Sequence, residues 1–273
     1  MSDLLGYKGK QVVVTGAASG MGAATAQLLV DAGANVTALD IAPVTATVAK
    51  ALTADMQDQS SLDDALAQCP DQVHALFNCA GVPSPPTELK DTVLINFSGL
   101  RYLTEQLLPR MQEGGAIASI ASTAGMGWRS CKSLVDAFLA LDPSLEAAAS
   151  WLDCYAHEVA DGYGFSKQCL IVYTYSQAAA LAQRGIRINC IAPSPTNSAF
   201  MERLQREGGI PEDAVSLFLP PNGRYGEGAD MGKAMLLLNS DLAGFISGVN
   251  LPVDYGYSGQ VFVGQRDDLM GIA

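Results

Sequence analysis

Thr15-Gly16-Ala17-Ala18-Ser19-Gly20-Met21-Gly22 joins an apolar run, Gln11 to Val14, to an alanine-rich stretch of helical character, Met21 to Ala32. Strand, glycine turn and helix in that order make a dinucleotide cradle. Gly16 permits a turn that a Cβ resists, Gly20 lets backbone approach a pyrophosphate, and Gly22 lets helix pack closely on strand. Ser19 and Met21 belong to the same cofactor-binding loop. The phosphates would meet the helix N-terminus, where free N–H groups and the dipole favour anions. Glycine-rich loops also serve as plain tight turns, so the weight falls on context. A second apolar run, Asn35 to Leu39, ends on Asp40, an acid placed for the adenosine ribose hydroxyls.

Working outward, strand-like runs alternate with helical stretches, the pattern of β-α-β units in a parallel sheet. The strands are expected at Gln11 to Val14, Asn35 to Leu39, Ala49 to Ala54, Val73 to Phe77, Ala116 to Ile120, Ile186 to Ile191 and Val249 to Val253. Helices are expected at Met21 to Ala32, Ser60 to Gln68 with Ser60 as N-cap, Asp91 to Met111, Gly164 to Arg184 and Ala229 to Asn239. The fold class is α/β: one doubly wound parallel sheet of about seven strands with helices on both faces. Residues 1–273 read as one domain, with no linker to divide it. Val82 to Thr87 holds three prolines and reads as an irregular loop.

A net charge of −12, from 16 Lys and Arg against 28 Asp and Glu, argues against nucleic-acid backbones and anionic membranes as partners. An apolar share of 49% gives ample material for a core. The absence of a secretory pattern and of any apolar run near the roughly 18 residues of a membrane helix leads to the expectation of a cytoplasmic protein. Six cysteines without a C-x-x-C pair, and only His74 and His157 to join them, point away from zinc and toward reduced, mostly buried thiols. No metal site is expected.

Three further stretches carry chemistry. Asn78-Cys79-Ala80-Gly81 follows the fourth strand, where a parallel sheet opens on its ligand crevice. Asn96 stands in an otherwise apolar helical stretch, where a buried amide needs partners. Ser119 to Gly125 sets hydroxyls, Ser122 among them, at another strand end. The strongest is Tyr163-Gly-Phe-Ser-Lys167, whose i, i+4 spacing puts phenol and ammonium on one helix face, where the cation would favour phenolate. Taken singly each has a bland reading as a turn, a core amide or an exposed helix face; their fixed order is what chance explains poorly.

Together these residues resemble the short-chain dehydrogenase/reductase family over nearly the whole chain. The T-G-x-x-x-G-x-G loop is Thr15 to Gly22, N-N-A-G appears as Asn78 to Gly81, and the family's catalytic Asn, Ser, Tyr and Lys fall on Asn96, Ser122, Tyr163 and Lys167. Arg187 to Pro193 is similar to the strand before the nicotinamide site, and Asp254-Tyr255-Gly256 to the C-terminal turn. The chain departs from the pattern at Cys79, Ala121, Ser194 and Tyr255. Only fifteen positions separate Gly81 from Asn96, too few for the family's helix there, while forty-one separate Ser122 from Tyr163. That combination looks like the group of bacterial 3α-hydroxysteroid dehydrogenase/carbonyl reductases and coniferyl alcohol dehydrogenases.

The resemblance implies NAD as cofactor, with Tyr163 as general acid/base, Lys167 tuning it, Ser122 holding the substrate oxygen and Asn96 supporting a proton path. It adds Asp55, Met56, Ala80, Gly81, Pro193, Thr196 and Ser198, with Asn78, Tyr163 and Lys167, to the cofactor contacts. It implies a homodimer or homotetramer paired through Asp91 to Met111 and Gly164 to Arg184, unless the added residues block that contact. A dinucleotide sensor without turnover and a same-fold isomerase or dehydratase stand as alternatives. The added segment, Met126 to Asp161, carries two apolar stripes at helical spacing, Leu134 to Leu141 and Leu145 to Ala156. It is expected to wall the substrate site, opposite Ala199 to Leu219 with Phe200, Met201, Leu204, Leu217 and Phe218. The substrate implied is a bulky apolar alcohol or carbonyl.

Overall fold

In the computed structural model, which describes residues 3–273, β-strands and helices alternate along the chain. β1 (Gln11–Thr15), β2 (Asn35–Asp40), β3 (Lys50–Thr53), β4 (Val73–Asn78), β5 (Met111–Ile120), β6 (Arg187–Pro193) and the last strand, Asn250–Val253, form one parallel sheet in the order β3-β2-β1-β4-β5-β6 and then that last strand. The order reverses between β1 and β4, so a crevice opens at their carboxyl ends. The register puts Thr15 beside Asn78 and Asn78 beside Ser119, so three strand ends finish level at that crevice.

Central strands are buried on both faces and read as continuous apolar runs: Val12, Val13 and Val14 have no exposed surface. One side is covered by α1 (Gly20–Asp31) and by the helix Gly228–Asn239, the other by α2 (Gln59–Leu66) and the long helices described below. Asp58, not Ser60, caps α2, because its carboxylate accepts the amides of both Ser60 and Ser61. His74 accepts the Gln11 amide at the amino ends of β1 and β4, and His157 lies exposed in a short 3-10 turn. Three of the six free cysteines are buried, Cys69, Cys169 and Cys190, while Cys154 is exposed.

The helix expected at Asp91 to Met111 is unbroken from Leu89 to Leu107 but carries a π turn and ends early. It runs as α3 (Leu89–Val93), a π turn (Leu94–Ser98) and α4 (Gly99–Leu107), then passes through a 3-10 turn at Leu108–Arg110, so Met111 already belongs to β5. Pro109 accounts for the ending, since its ring cannot continue the helix. Gly99 accounts for the tight approach to the turn between β3 and α2: a Cβ there would lie 1.9 Å from the Met56 carbonyl oxygen.

The added segment folds as α5 (Lys132–Leu139) and α6 (Leu145–Tyr155), with Ser144 capping α6 through the Ala147 amide. Its apolar stripes do not face a ligand cavity. Val135, Phe138, Leu145, Ala148 and Leu152 are buried against the π turn and α7 (Gly162–Ala182). Phe138 meets Phe97, Trp151 and Phe165 at ring distances of 6.0, 4.9 and 5.5 Å, and Phe97 in turn meets Tyr173 at 6.0 Å. The segment therefore covers, within the chain, the first half of one of the helices expected to pair subunits.

Candidate active site

Two cavities meet at the crevice. The larger, 460 Å³, runs along the carboxyl ends of the first strands and is lined by Gly16, Ser19, Gly20, Met21, Gly22, Asp40, Asp55, Met56, Ala80, Gly81, Tyr163, Lys167 and Ser198 among others. The smaller, 250 Å³ and almost wholly apolar in its walls, is lined by Ser122, Tyr163, Pro193, Thr196, Ser198, Phe200 and Met201 among others. Met21, Tyr163, Ser198 and Phe200 belong to both.

The cleft fits a dinucleotide on local grounds. Ser19 leaves the N-terminus of α1 without a side-chain cap, and no acid stands in the first turn, so the helix presents its amides to the cleft unopposed. Gly16 has φ of +66°, and a Cβ on it would lie 2.6 Å from the Ala80 amide nitrogen. Thr15 ties the two turns together, its Oγ1 accepting the amides of Cys79 and Ala80. Asp40 lines the cleft while its two oxygens accept the amides of Ala18 and Ala42, each at 2.9 Å, so it is at once a turn anchor and an acid facing the ligand space. Asp55 does likewise through the Gln57 amide.

Asn78 is a correction. It lies outside the lining of both cavities and is buried, its amide donating to Thr104 Oγ1 and Ser119 Oγ at 3.1 and 3.2 Å. It braces β4 against α4 and β5 rather than facing the ligand space. Pro193 and Thr196 line the apolar cavity and not the long cleft, whereas Ser198 borders both and caps the helix that follows it. Leu217 is exposed and lines neither cavity, and no residue of Met126 to Asp161 lines either, so the insertion is removed from the substrate wall.

Asp161 starts α7 by accepting the Gly164 amide, which sets Tyr163 in the first turn. Burial raises the Tyr163 pKa above its ordinary value, an effect that the neighbouring Ser122 hydroxyl opposes and nearby Asp161 adds to. Lys167 is buried, its ammonium donating to the Ile120 carbonyl at 2.8 Å and standing 5.6 Å from the Tyr163 ring centre. Desolvation lowers its pKa to about 8, with Cys190 and Cys79 pulling weakly the other way. Cys79 beside them is pushed up to about 12 by burial and stays a thiol.

Asn96 sits in the π turn, a local widening common at functional sites. Its Oδ1 accepts the Val82 amide at 2.8 Å and its Nδ2 donates to the Val82 carbonyl at 3.0 Å, so it clamps the proline loop. A Cβ on Gly81 would lie 3.3 Å from Asn96 Oδ1 and 3.7 Å from Lys167 Nζ, so both groups converge beside that glycine.

Several lining residues were not named in the sequence reading, although Arg203, Ile210 and Val215 fall within the expected wall Ala199 to Leu219. Arg203 on α8 (Ala199–Arg206) borders the long cleft, its guanidinium 3.2 Å from Glu207. Ala124, Ile210, Val215 and Met270 border the apolar cavity, Met270 from a stretch with no motif at all. Phe200 lies over Tyr163, ring centres 5.5 Å apart. Helix α8 leads away to Gly208, where a Cβ would lie 2.8 Å from the Pro85 carbonyl oxygen, so this segment rests against the proline loop.

With the fold and site in place, comparison with known proteins is direct. Residues 10–133 match the family described as short chain dehydrogenase, and residues 153–258 the one described as enoyl-(acyl carrier protein) reductase. The coniferyl-alcohol dehydrogenase of Pseudomonas sp. (strain HR199 / DSM 7063) is 30% identical over 90% of this chain and 96% of its own. The 3-alpha-hydroxysteroid dehydrogenase/carbonyl reductase of Comamonas testosteroni is 29% identical over 90% and 95%. Among solved structures, the 3-alpha-hydroxysteroid dehydrogenase of Pseudomonas sp. B-0831, complexed with NADH, superposes with a TM-score of 0.77 at 25% identity, covering 95% of this chain and all of that one. The chain belongs to the short-chain dehydrogenase/reductase family, a family of oxidoreductases. Among the described residues no helix is long and apolar enough to cross a membrane.

Proposed function

We propose that the protein is an NAD(H)-dependent oxidoreductase that interconverts an apolar aryl or allylic alcohol and its carbonyl compound. The observation that carries this reading is Tyr163 at the junction of the two cavities, lining the apolar one together with Ser122 and backed by the buried Lys167. Gly16, Ser19, Gly20, Met21 and Gly22 would hold the pyrophosphate, Asp40 the adenosine ribose, and Asp55 and Met56 the adenine end. Pro193, Thr196 and Ser198 would fix the carboxamide, and Lys167 the nearer ribose. Bound there, NAD supplies the hydride acceptor and a positive charge beside the phenol.

Tyr163 takes the carbinol proton in oxidation and returns it in reduction, a contribution of about 10²- to 10⁴-fold. Ser122 donates to the substrate oxygen as charge develops on it. Lys167 passes the proton on toward solvent through a water that Asn96 would support beside Gly81. Phe200 and Met201 cover the apolar part of the substrate. At 250 Å³ the cavity is below the roughly 300–1,000 Å³ of common ligand sites, and the carboxamide grip borders the same space. A single-ring alcohol suits it better than a fused-ring steroid. The long fold of residues 1–273 acts as one domain in this reading, and with its acidic surface it works in the cytoplasm as a homodimer or homotetramer.

The test is the appearance of reduced nicotinamide with cinnamyl-type alcohols, using NAD and NADP in parallel. Turnover with NAD preferred supports the reading, because Asp40 would repel a 2′-phosphate. Tight NAD binding without turnover of any alcohol would favour a sensor, and NADP preference would overturn the role given to Asp40.

A further inference from the structure

Met270 lines the apolar cavity together with Ser122 and Tyr163, although more than a hundred residues separate it from either in the chain. It is half-buried, and it does not hang there by chance. The Asp268 carboxylate gathers the amides of Met270, Ile272 and Ala273 at 3.3, 2.9 and 3.0 Å, which curls residues 268–273 into a compact turn. Ile272, 5% exposed, anchors that turn in the core. Gly127, just after the Ser122 turn, accepts the segment at close range: a Cβ there would lie 2.2 Å from the Met270 carbonyl oxygen and 3.0 Å from that of Gly271.

A second tie reaches the opposite wall. Arg266 donates to the Leu219 carbonyl at 2.6 Å and stacks on Tyr257 at 4.8 Å, and Tyr257 is tilted against Phe218 at 6.3 Å. Phe218 lines the same cavity. One short segment thus supplies a cavity wall directly and buttresses another through two residues.

We infer that residues 266–273 form the substrate-selecting end wall of the cavity, with Met270 setting the length of apolar substrate it admits and Asp268 and Arg266 acting as positioning residues. The inference rests on the alcohol-oxidising reading of the same cavity. Methionine is unbranched and polarisable, so it fills an irregular gap and yields to shape, while its volume limits the space left for substrate. Removing part of a pocket wall changes discrimination by about 10- to 200-fold per group.

The test compares kcat/KM for cinnamyl alcohol and for a fused-ring hydroxysteroid in wild type, Met270→Ala, Asp268→Ala and the double variant. Affinity for the apolar dye 1-anilinonaphthalene-8-sulfonate is measured alongside. Met270→Ala is expected to raise the steroid-to-cinnamyl ratio about tenfold or more and to alter dye affinity. Asp268→Ala should shift the ratio the same way by less, and should add nothing once Met270 is Ala, which a merely structural role would not produce. An unchanged ratio with unchanged dye affinity in folded Met270→Ala overturns the inference while leaving the oxidoreductase reading intact. If wild type oxidises neither alcohol, that reading fails, and dye affinity alone decides whether Met270 bounds the cavity: altered affinity supports it and unchanged affinity overturns it.

Discussion

The long cleft and the apolar cavity share Met21, Tyr163, Ser198 and Phe200, yet they are built in different ways. The cleft is made by backbone: strand ends level at the β1/β4 reversal, a glycine at positive φ, an uncapped helix start. The cavity is made by side chains that arrive from Ser122, Pro193, Phe200, Phe218 and Met270, far apart in the chain. Backbone demands leave few residue choices and are written as short motifs. Apolar packing accepts many residues and leaves only a hydrophobic pattern, which says that a face is buried but not against what.

The largest expected effect sharpens the point where the two cavities meet. Tyr163→Phe keeps the ring against Phe200 and removes only the proton-transfer group, so turnover should fall by about 10²- to 10⁴-fold with cofactor affinity intact. Steady-state rates and a binding titration check it; substantial remaining turnover would call for another acid/base.

Next, Phe138→Ala separates core from wall in the insertion. Its ring is 2% exposed and lies among Phe97, Trp151 and Phe165. The substitution should cost about 3–5 kcal/mol of stability in chemical denaturation without changing the ranking of alcohols by kcat/KM. A changed ranking at intact stability would restore the insertion to the substrate site.

What could be read from the chain follows the same division. The sheet was legible because its strands read as apolar runs between turn and helix signals, and the residues of the cradle, with Asp40, Tyr163 and Lys167, stand where short motifs placed them on the cleft. The insertion's two helices were legible as helices, but their apolar stripes were assigned to the cavity when they cover the π turn and α7. Asn78 carried a motif and so was given a ligand, whereas its amide serves Thr104 and Ser119. The π turn had no signal in the sequence, and the clamp between Asn96 and Val82 that it carries is visible only in three dimensions. Arg203 and Met270 had no local signal.

A smaller effect concerns Lys167, whose burial opposes stability while it serves the site. With its pKa lowered to about 8, the unfolded chain binds more protons between that value and the ordinary 10.5, so stability should rise with pH across this window. Below pH 8 the desolvation cost is fully present. Lys167→Met should abolish turnover, flatten that rise, and raise stability at pH 7 by about 1 kcal/mol, the desolvation gain less the cost of leaving the Ile120 carbonyl unpaired. Denaturation curves at several pH values check it; a wild-type curve flat from pH 8 upward would contradict the lowered pKa.

The smallest is Tyr255, which holds φ of +49° where a glycine is more at ease and leaves its side chain 73% exposed. Tyr255→Gly should relieve left-handed strain of roughly 1 kcal/mol, partly offset by the added freedom of the unfolded chain. Thermal denaturation should show a small gain or none, and a clear loss would mean that the ring has a partner in an assembly.

The most direct measurement follows the hydride itself. Cinnamyl alcohol carrying deuterium at the carbinol carbon is incubated with NAD and the protein, and the reduced nicotinamide is analysed by mass. An oxidoreductase working through Tyr163 transfers deuterium to nicotinamide, and the Tyr163→Phe variant does so far more slowly at the same cofactor occupancy. Label that stays in the alcohol, or product formed with no net reduced nicotinamide, would contradict hydride transfer to the cofactor as the chemistry of this site.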